Sequence, residues 1–198
     1  FAPSYHPAFK QIAPARKLCA ERGQRTIFNF LGPLLNPARP TSQLIGVPRQ
    51  ELCEPIATVL ESLGVRRGMV VCGAVVDGSV QRYLDEFSTL GDNHVAEFLK
   101  SRISLRSIPA TVFQIQPAAL ADLTGSDRNS NAEIVRRILH GEERGPRRDA
   151  VLLNCAAAMV VAGKTAAMKD GWGLAAEVID SGRAGKKLAE LVAASAGT

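Results

Sequence analysis

The chain has 198 residues, 46% of them hydrophobic and 22% charged, with a formal net charge of +5. That balance is enough to bury one substantial core and excludes an intrinsically disordered chain. The surplus of positive charge favours anionic partners, but 5% aromatic content with no interleaved basic and aromatic array argues against a platform for single-stranded nucleic acid.

In chain order, HPAFKQIAPARKLCAE (6–21) spaces its apolar residues helically around Pro14, which predicts a short or kinked helix. TIFNFLGPLLNPARP (26–40) is punctuated by Gly32-Pro33 and Asn36-Pro37, which favour turns and an irregular loop. SQLIGV (42–47) reads as a short strand. RQELCEPIATVLESLG (49–64) reads as a helix with Leu52, Ile56, Val59, Leu60 and Leu63 on one face and Gly64 as its stop. GMVVCGAVV (68–76) is a buried strand. Strand, helix and strand in that order predict a parallel crossover.

HVAEFLK (94–100) and ISLRSIP (103–109) read as two further strands, paired antiparallel. The last third is helical. NSNAEIVRRILHG (129–141) carries Asn129 as a candidate N-cap and Gly141 as a stop. RRDAVLLNCAAAMVVAG (147–163), MKDGWGLAAEVIDSG (168–182) and AGKKLAELVAAS (184–195) follow. The richest apolar run, 150–163, is interrupted by Asn154 and falls short of the roughly 18 to 20 residues of a membrane span, so it reads as a core helix. The whole is expected to be one α/β domain over residues 1–198, a mixed, largely parallel sheet flanked by helices.

Cysteines 19, 53, 72 and 155 are far apart, without CxxC or Cys/His metal spacing, and read as free thiols of a reducing cytosol. The amino end has no Met and no signal-peptide layout, as in a chain entered mid-protein. Glycine-rich nucleotide loops, a GxSxG elbow and HExxH are all absent.

Three constellations remain. In YLDEFSTLG (83–91), Asp85 and Glu86 fall where a strand should end, and at such an end neighbouring carboxylates can converge. Paired hard oxygen ligands suit magnesium, with substrate phosphates and water completing the octahedron; a solvated acidic turn is the plain alternative. The second is YHPAFKQIAPAR (5–16), in which His6, Lys10 and Arg16 are surface residues or, for Arg16, a carboxylate clamp, and the third is NFLGPLLNP (29–37), whose Gly32 and Pro33 either cross a packed interior or line a pocket. A guanidinium such as that of Arg16 suits a planar carboxylate.

Taken together, HPAFKQIAPAR, RTIFNFLGPLLNPARPTSQLIGV, DEFS and GPRRDAVLLNCAAAMVVAG resemble the anthranilate phosphoribosyltransferase family over nearly the whole chain. The resemblance implies the larger catalytic domain of the nucleoside phosphorylase and phosphoribosyltransferase type, a piece of a two-domain protein. It implies transfer of the 5-phosphoribosyl group from phosphoribosyl pyrophosphate to anthranilate, giving N-(5-phosphoribosyl)anthranilate and pyrophosphate in tryptophan synthesis. By that resemblance Asp85 and Glu86 hold Mg²⁺ and Arg16 pairs with the anthranilate carboxylate. His6 and Phe9 line its site, and Gly32 and Pro33 form a turn at the entry channel.

A homodimer through the family's N-terminal helices, cytoplasmic location, no membrane and no nucleic acid are implied too. This stretch alone is expected to be inactive, because the family's phosphoribosyl pyrophosphate loop lies outside it. The chain departs from the common pattern by extra residues between Arg16 and Arg25 and between the strand at 68–76 and the acidic pair. The competing functions are a pyrimidine nucleoside phosphorylase and a non-catalytic nucleic-acid-binding relative.

Overall fold

Residues 67–77, RGMVVCGAVVD, form the strand on which the rest is built. The computed structural model describes residues 5–24, 26, 28–77, 80–100 and 102–196, with the side chains of 28–30, 77, 80 and 81 left aside. Five strands make one mixed sheet: β1 (Ser42–Gly46), β2 (Arg67–Asp77), β3 (Val80–Leu84), β4 (Asn93–Leu99) and β5 (Arg102–Ile108). β2 lies between β1 and β4, β5 follows β4, and β3 also pairs with β2.

The run Met69–Cys72 is buried throughout because both faces of β2 are covered. Val70 and Cys72 pack with Ile45, Ala96 and Phe98 under helix α4 (Cys53–Ser62). Met69 and Val71 point the other way, with Val95, towards helix α7 (Pro146–Val161). A period of two along a strand with helices on both sides yields this three-layer core. α7 contains residues 150–161 of the apolar run 150–163 expected to be a core helix. Among the described residues no helix is long and apolar enough to cross a membrane.

β1 and β2 are parallel, linked by α4, as the strand, helix and strand order requires. The other described pairings, β2–β3, β2–β4 and β4–β5, are antiparallel. The sheet is mixed as expected, but its described part is not largely parallel, because two hairpins, β2–β3 and β4–β5, supply four of its five strands. The extra residues before the acidic pair are the first of these hairpins: β2 runs on to Asp77, and β3 returns with Val80 opposite Asp77.

Three local expectations are corrected. Phe28–Leu34 is a helix, α3, with Pro33 inside it, not an irregular loop. Pro33 has no N–H for the i−4 carbonyl, yet Leu35 N–H still reaches the Leu31 carbonyl at 3.1 Å, so the short helix survives one missing bond. α6 (Arg128–Leu139) is capped by Asp127, not Asn129: Asp127 accepts from the backbone N–H groups of Asn129 and Ser130. The buried face of α4 is Cys53, Ala57 and Leu60, with Leu52 and Ile56 packed beside it, whereas Val59 and Leu63 are exposed. Small side chains at Cys53 and Ala57 let the helix lie close to the sheet, and that turns the outer leucine to water.

The amino-terminal segment forms α1 (Ala8–Gln11) and α2 (Ala13–Glu21) before α3. Pro14 stands in the first turn of α2, where its missing N–H costs nothing, so the expected break is a helix start. The added residues after Arg16 extend α2 to Glu21 and a turn at Gly23 (φ 66°), while Arg25 lies outside the described residues. A short α5 (Leu120–Leu123) and the pair α8 (Met168–Asp180) and α9 (Arg183–Ser195) complete the helical flank.

Candidate active site

Asp85 and Glu86 stand where two strands meet end to end. β1 runs up one edge of β2 as far as Gly46 opposite Val71, and β3 runs down the same edge as far as Leu84 opposite Gly73. After Leu84 that edge is occupied, so the chain must leave the sheet. It leaves across Gly46: a Cβ there would lie 1.4 Å from the Asp85 carbonyl oxygen. Gly73 gives a second close approach, since its Cβ would lie 2.4 Å from the Glu86 carbonyl oxygen. Only glycine permits backbone crossing at such distances.

The segment that follows is fixed. Phe87 is buried in the core between sheet and α7, and its backbone N–H donates to Asn154 Oδ1 at 2.9 Å. Asn154 Nδ2 donates to the Phe87 carbonyl at 2.9 Å and to the Ala150 carbonyl at 3.0 Å. Asn93, wholly buried, accepts from Ser88 N–H and donates to the Ser88 and Ile108 carbonyls. The acids are thus exposed residues at the end of β3, followed by a hydrogen-bonded bend.

Burial first, and the neighbouring Asp85 charge second, push the Glu86 carboxyl above its ordinary value. The residue as a whole is exposed, but it borders a groove of about 600 Å³ whose apolar wall includes Val151, Cys155 and Ala158 of α7 and Ile134 and Val135 of α6; Arg147 lines the same groove, with its guanidinium bonded to the Asp122 and Thr124 carbonyls. The apolar wall is what withholds solvent from the carboxylate. Among the described residues no ion pair neutralises Asp85 or Glu86. Nor do three or more His, Cys, Asp or Glu groups there gather to hold a metal. The candidate donor set is therefore the two neighbouring carboxylates of Asp85 and Glu86 alone. It fits Mg²⁺, which takes one or two carboxylates and fills its other positions with phosphate oxygens and water.

The remaining candidates gather on the amino-terminal helices. His6 Nε2–H donates to the Leu35 carbonyl at 2.7 Å, which ties the start of the segment to the end of α3. The rings of His6 and Phe9 are tilted at a centroid distance of 6.1 Å. Gly32 and Pro33 line a cavity of about 590 Å³ with Tyr5, Leu35, Asn36 and Pro37. His6 thus reaches a residue of that cavity, Leu35, and Phe9 lies next to His6, while Arg16 is half-buried on α2. Sequence reasoning missed the two asparagines. Asn154 carried a usable signal: a lone amide in an apolar helix has to find partners.

The chain is 47% identical to anthranilate phosphoribosyltransferase of Geobacter sulfurreducens over 192 residues, covering 97% of this chain and 52% of the relative. The crystal structure of the Thermus thermophilus enzyme of that name superposes with a TM-score of 0.81 at 40% identity, over 95% of this chain and 52% of that one. The Saccharomyces cerevisiae enzyme, in complex with phosphoribosyl pyrophosphate and Mg, has a TM-score of 0.82 at 24% identity, over 98% of this chain and 53% of that one, a likeness of fold. The chain thus spans about half the length of the curated relatives it matches. Residues 1–185 match the model described as glycosyl transferase family, a/b domain, and the chain belongs to that family.

Proposed function

We propose that this chain is the metal-holding part of an anthranilate phosphoribosyltransferase, which moves the 5-phosphoribosyl group from phosphoribosyl pyrophosphate to anthranilate. The observation that carries the reading is the meeting of β1 and β3, after which Asp85 and Glu86, without an ion pair among the described residues, lead into a hydrogen-bonded bend. Relatives of that name at 40–47% identity over almost all of this chain support it.

In this reading Asp85 and Glu86 hold the cation that accompanies the diphosphate. Magnesium, when bound, supplies Lewis-acid withdrawal of charge from the leaving group. Arg16 pairs with the anthranilate carboxylate and aims its amine, with His6, Phe9, Gly32 and Pro33 around the ring. The amine nitrogen bonds to ribose C1 as the C1–O bond to pyrophosphate breaks, and the nitrogen then loses a proton to solvent. Positioning and electrostatics carry such a transfer, with no covalent enzyme intermediate. Dimer formation through helices of the relatives' other half, a cytoplasmic location and inactivity of this stretch alone belong to the same reading.

The test is consumption of anthranilate by the complete protein, followed as loss of anthranilate fluorescence. The reading requires dependence on both phosphoribosyl pyrophosphate and Mg²⁺. Phosphorolysis of a pyrimidine nucleoside without anthranilate consumption would replace it with the phosphorylase function.

A further inference from the structure

The Asn154 carboxamide grips Phe87, the residue after Glu86, by its N–H and its carbonyl. Its Oδ1 accepts the Phe87 N–H at 2.9 Å, and its Nδ2 donates to the Phe87 carbonyl at 2.9 Å and to the Ala150 carbonyl at 3.0 Å. Three bonds use one acceptor and both amide hydrogens, so the group has a single orientation; turned over, it would set donor against donor at Phe87. Aspartate has no hydrogen for the two carbonyls, alanine reaches neither, and glutamine is one methylene too long. The two bonds to Phe87 run between α7 and a loop 67 positions away in sequence, so neither is a by-product of local turn geometry.

The grip acts on an element already confined from the opposite side. The Glu86 carbonyl passes so close to Gly73 that a Cβ there would lie 2.4 Å from it. The Glu86 peptide is therefore held between β2 on one side and Asn154 on the other. Asn154 is itself immobile, because its neighbours Leu153, Ala156 and Ala157 are buried against the sheet. Glu86 and Asn154 also border the same groove. Losing the amide would free the Phe87 N–H and carbonyl together, and the bend would be able to rotate about Glu86.

We propose that Asn154 is a positioning residue of the cation site, holding the Glu86–Phe87 peptide so that the Glu86 carboxylate stands beside that of Asp85. This rests on the reading of Asp85 and Glu86 as the cation-holding pair. Asn154 touches neither cation nor substrate in this role. It keeps the two carboxylates in one geometry when no cation is there to gather them. Outer groups that orient a ligand in this way change metal affinity on the order of tenfold or more when removed.

The experiment uses the complete protein with Mn²⁺ as probe, in the presence of pyrophosphate, and reads bound Mn²⁺ by electron paramagnetic resonance. Asn154→Ala is expected to raise the half-saturating Mn²⁺ concentration on the order of tenfold, at a temperature where circular dichroism shows it folded. Leu152→Ala is the stability control, because Leu152 is buried on the same helix among Ile138, Ala175 and Ile179, away from the bend. It should melt lower with unchanged Mn²⁺ binding. Unchanged Mn²⁺ binding in Asn154→Ala, or an equal shift in Leu152→Ala, overturns the positioning role.

Should Asn154→Ala not fold, hydrogen exchange of the wild-type peptide spanning residues 84–90 decides. Slower exchange with Mn²⁺ and pyrophosphate supports the coupling, and unchanged exchange refutes it. Asp85→Asn with Glu86→Gln separates the two levels. If that pair of changes leaves Mn²⁺ binding intact, the cation site itself is wrong. If it abolishes binding while Asn154→Ala does not, only the positioning role fails.

Discussion

Gly46→Ala tests the geometry that pushes the acids out of the sheet. An added Cβ would lie 1.4 Å from the Asp85 carbonyl oxygen and 2.1 Å from its carbon, where ordinary contact begins at 3.4 Å. Both atoms are backbone, so no side chain can swing aside, and the segment must move by about 2 Å or the strand end must give. Overpacking of this kind costs about 1–3 kcal/mol, visible as a lower melting temperature. The larger effect falls on function, because a misplacement of about 1 Å in a site that works by positioning costs on the order of a hundredfold in rate. The assay is anthranilate consumption at saturating Mg²⁺ by the complete protein, with thermal melting beside it. Wild-type rate and melting temperature together would mean that the Asp85 backbone does not cross Gly46, and the account of the bend would be wrong.

Two further outcomes are expected. Arg16→Ala should raise the KM for anthranilate, with a loss of about 2 kcal/mol or more if a bidentate carboxylate pair is removed, and leave the KM for phosphoribosyl pyrophosphate nearly unchanged; equal effects on both substrates would refute the assignment. Burial, then neighbouring Cys72 and Glu51, pushes the Cys53 thiol up to about 12, and burial, then Glu51 and Asp85, pushes Cys72 up to about 11, from 9.0. At pH 8 both should resist iodoacetamide in the native protein, as peptide mapping would read, and react after denaturation. Because the folded thiols ionise later than the unfolded ones, their contribution to stability is intact below pH 9 and declines as pH rises from there towards 11 to 12. Melting temperatures that hold steady from pH 9 to 11 would contradict this.

The crossover of β1, α4 and β2 was legible because each element is locally unambiguous. An apolar run of strand length, a helical repeat ended by Gly64 and a second apolar run allow one arrangement. The acidic pair was legible as a strand end, but the strand it ends was not. Val80–Leu84 contains Gln81 and Arg82 and becomes a strand by pairing with the overhang of β2, a tertiary event, although Asp77-Gly78 is a hairpin signal. Pro33 inside α3 shows the same limit, since one lost hydrogen bond did not outweigh the rest of the turn. Asp127 and Asn129 are both good capping residues. The extended backbone at Asp127 decided between them, and backbone angles are not written in residue type. The grip of Asn154 on Phe87 links positions 67 apart, so only the folded chain places them together.

The central claim is that Asp85 and Glu86 hold a cation that the reaction needs, and replacing them by Asn and Gln together in the complete protein tests it most directly. The amides keep size and hydrogen bonding but lose the charge that a hard cation requires. On an exposed bend the fold should be retained, with a change of about 0.5 kcal/mol per site, which circular dichroism would verify. Titrating the rate of anthranilate consumption with Mg²⁺ should show activity nearly abolished at every concentration. A folded double variant with near wild-type rate and the same Mg²⁺ dependence would make the pair a solvated acidic turn.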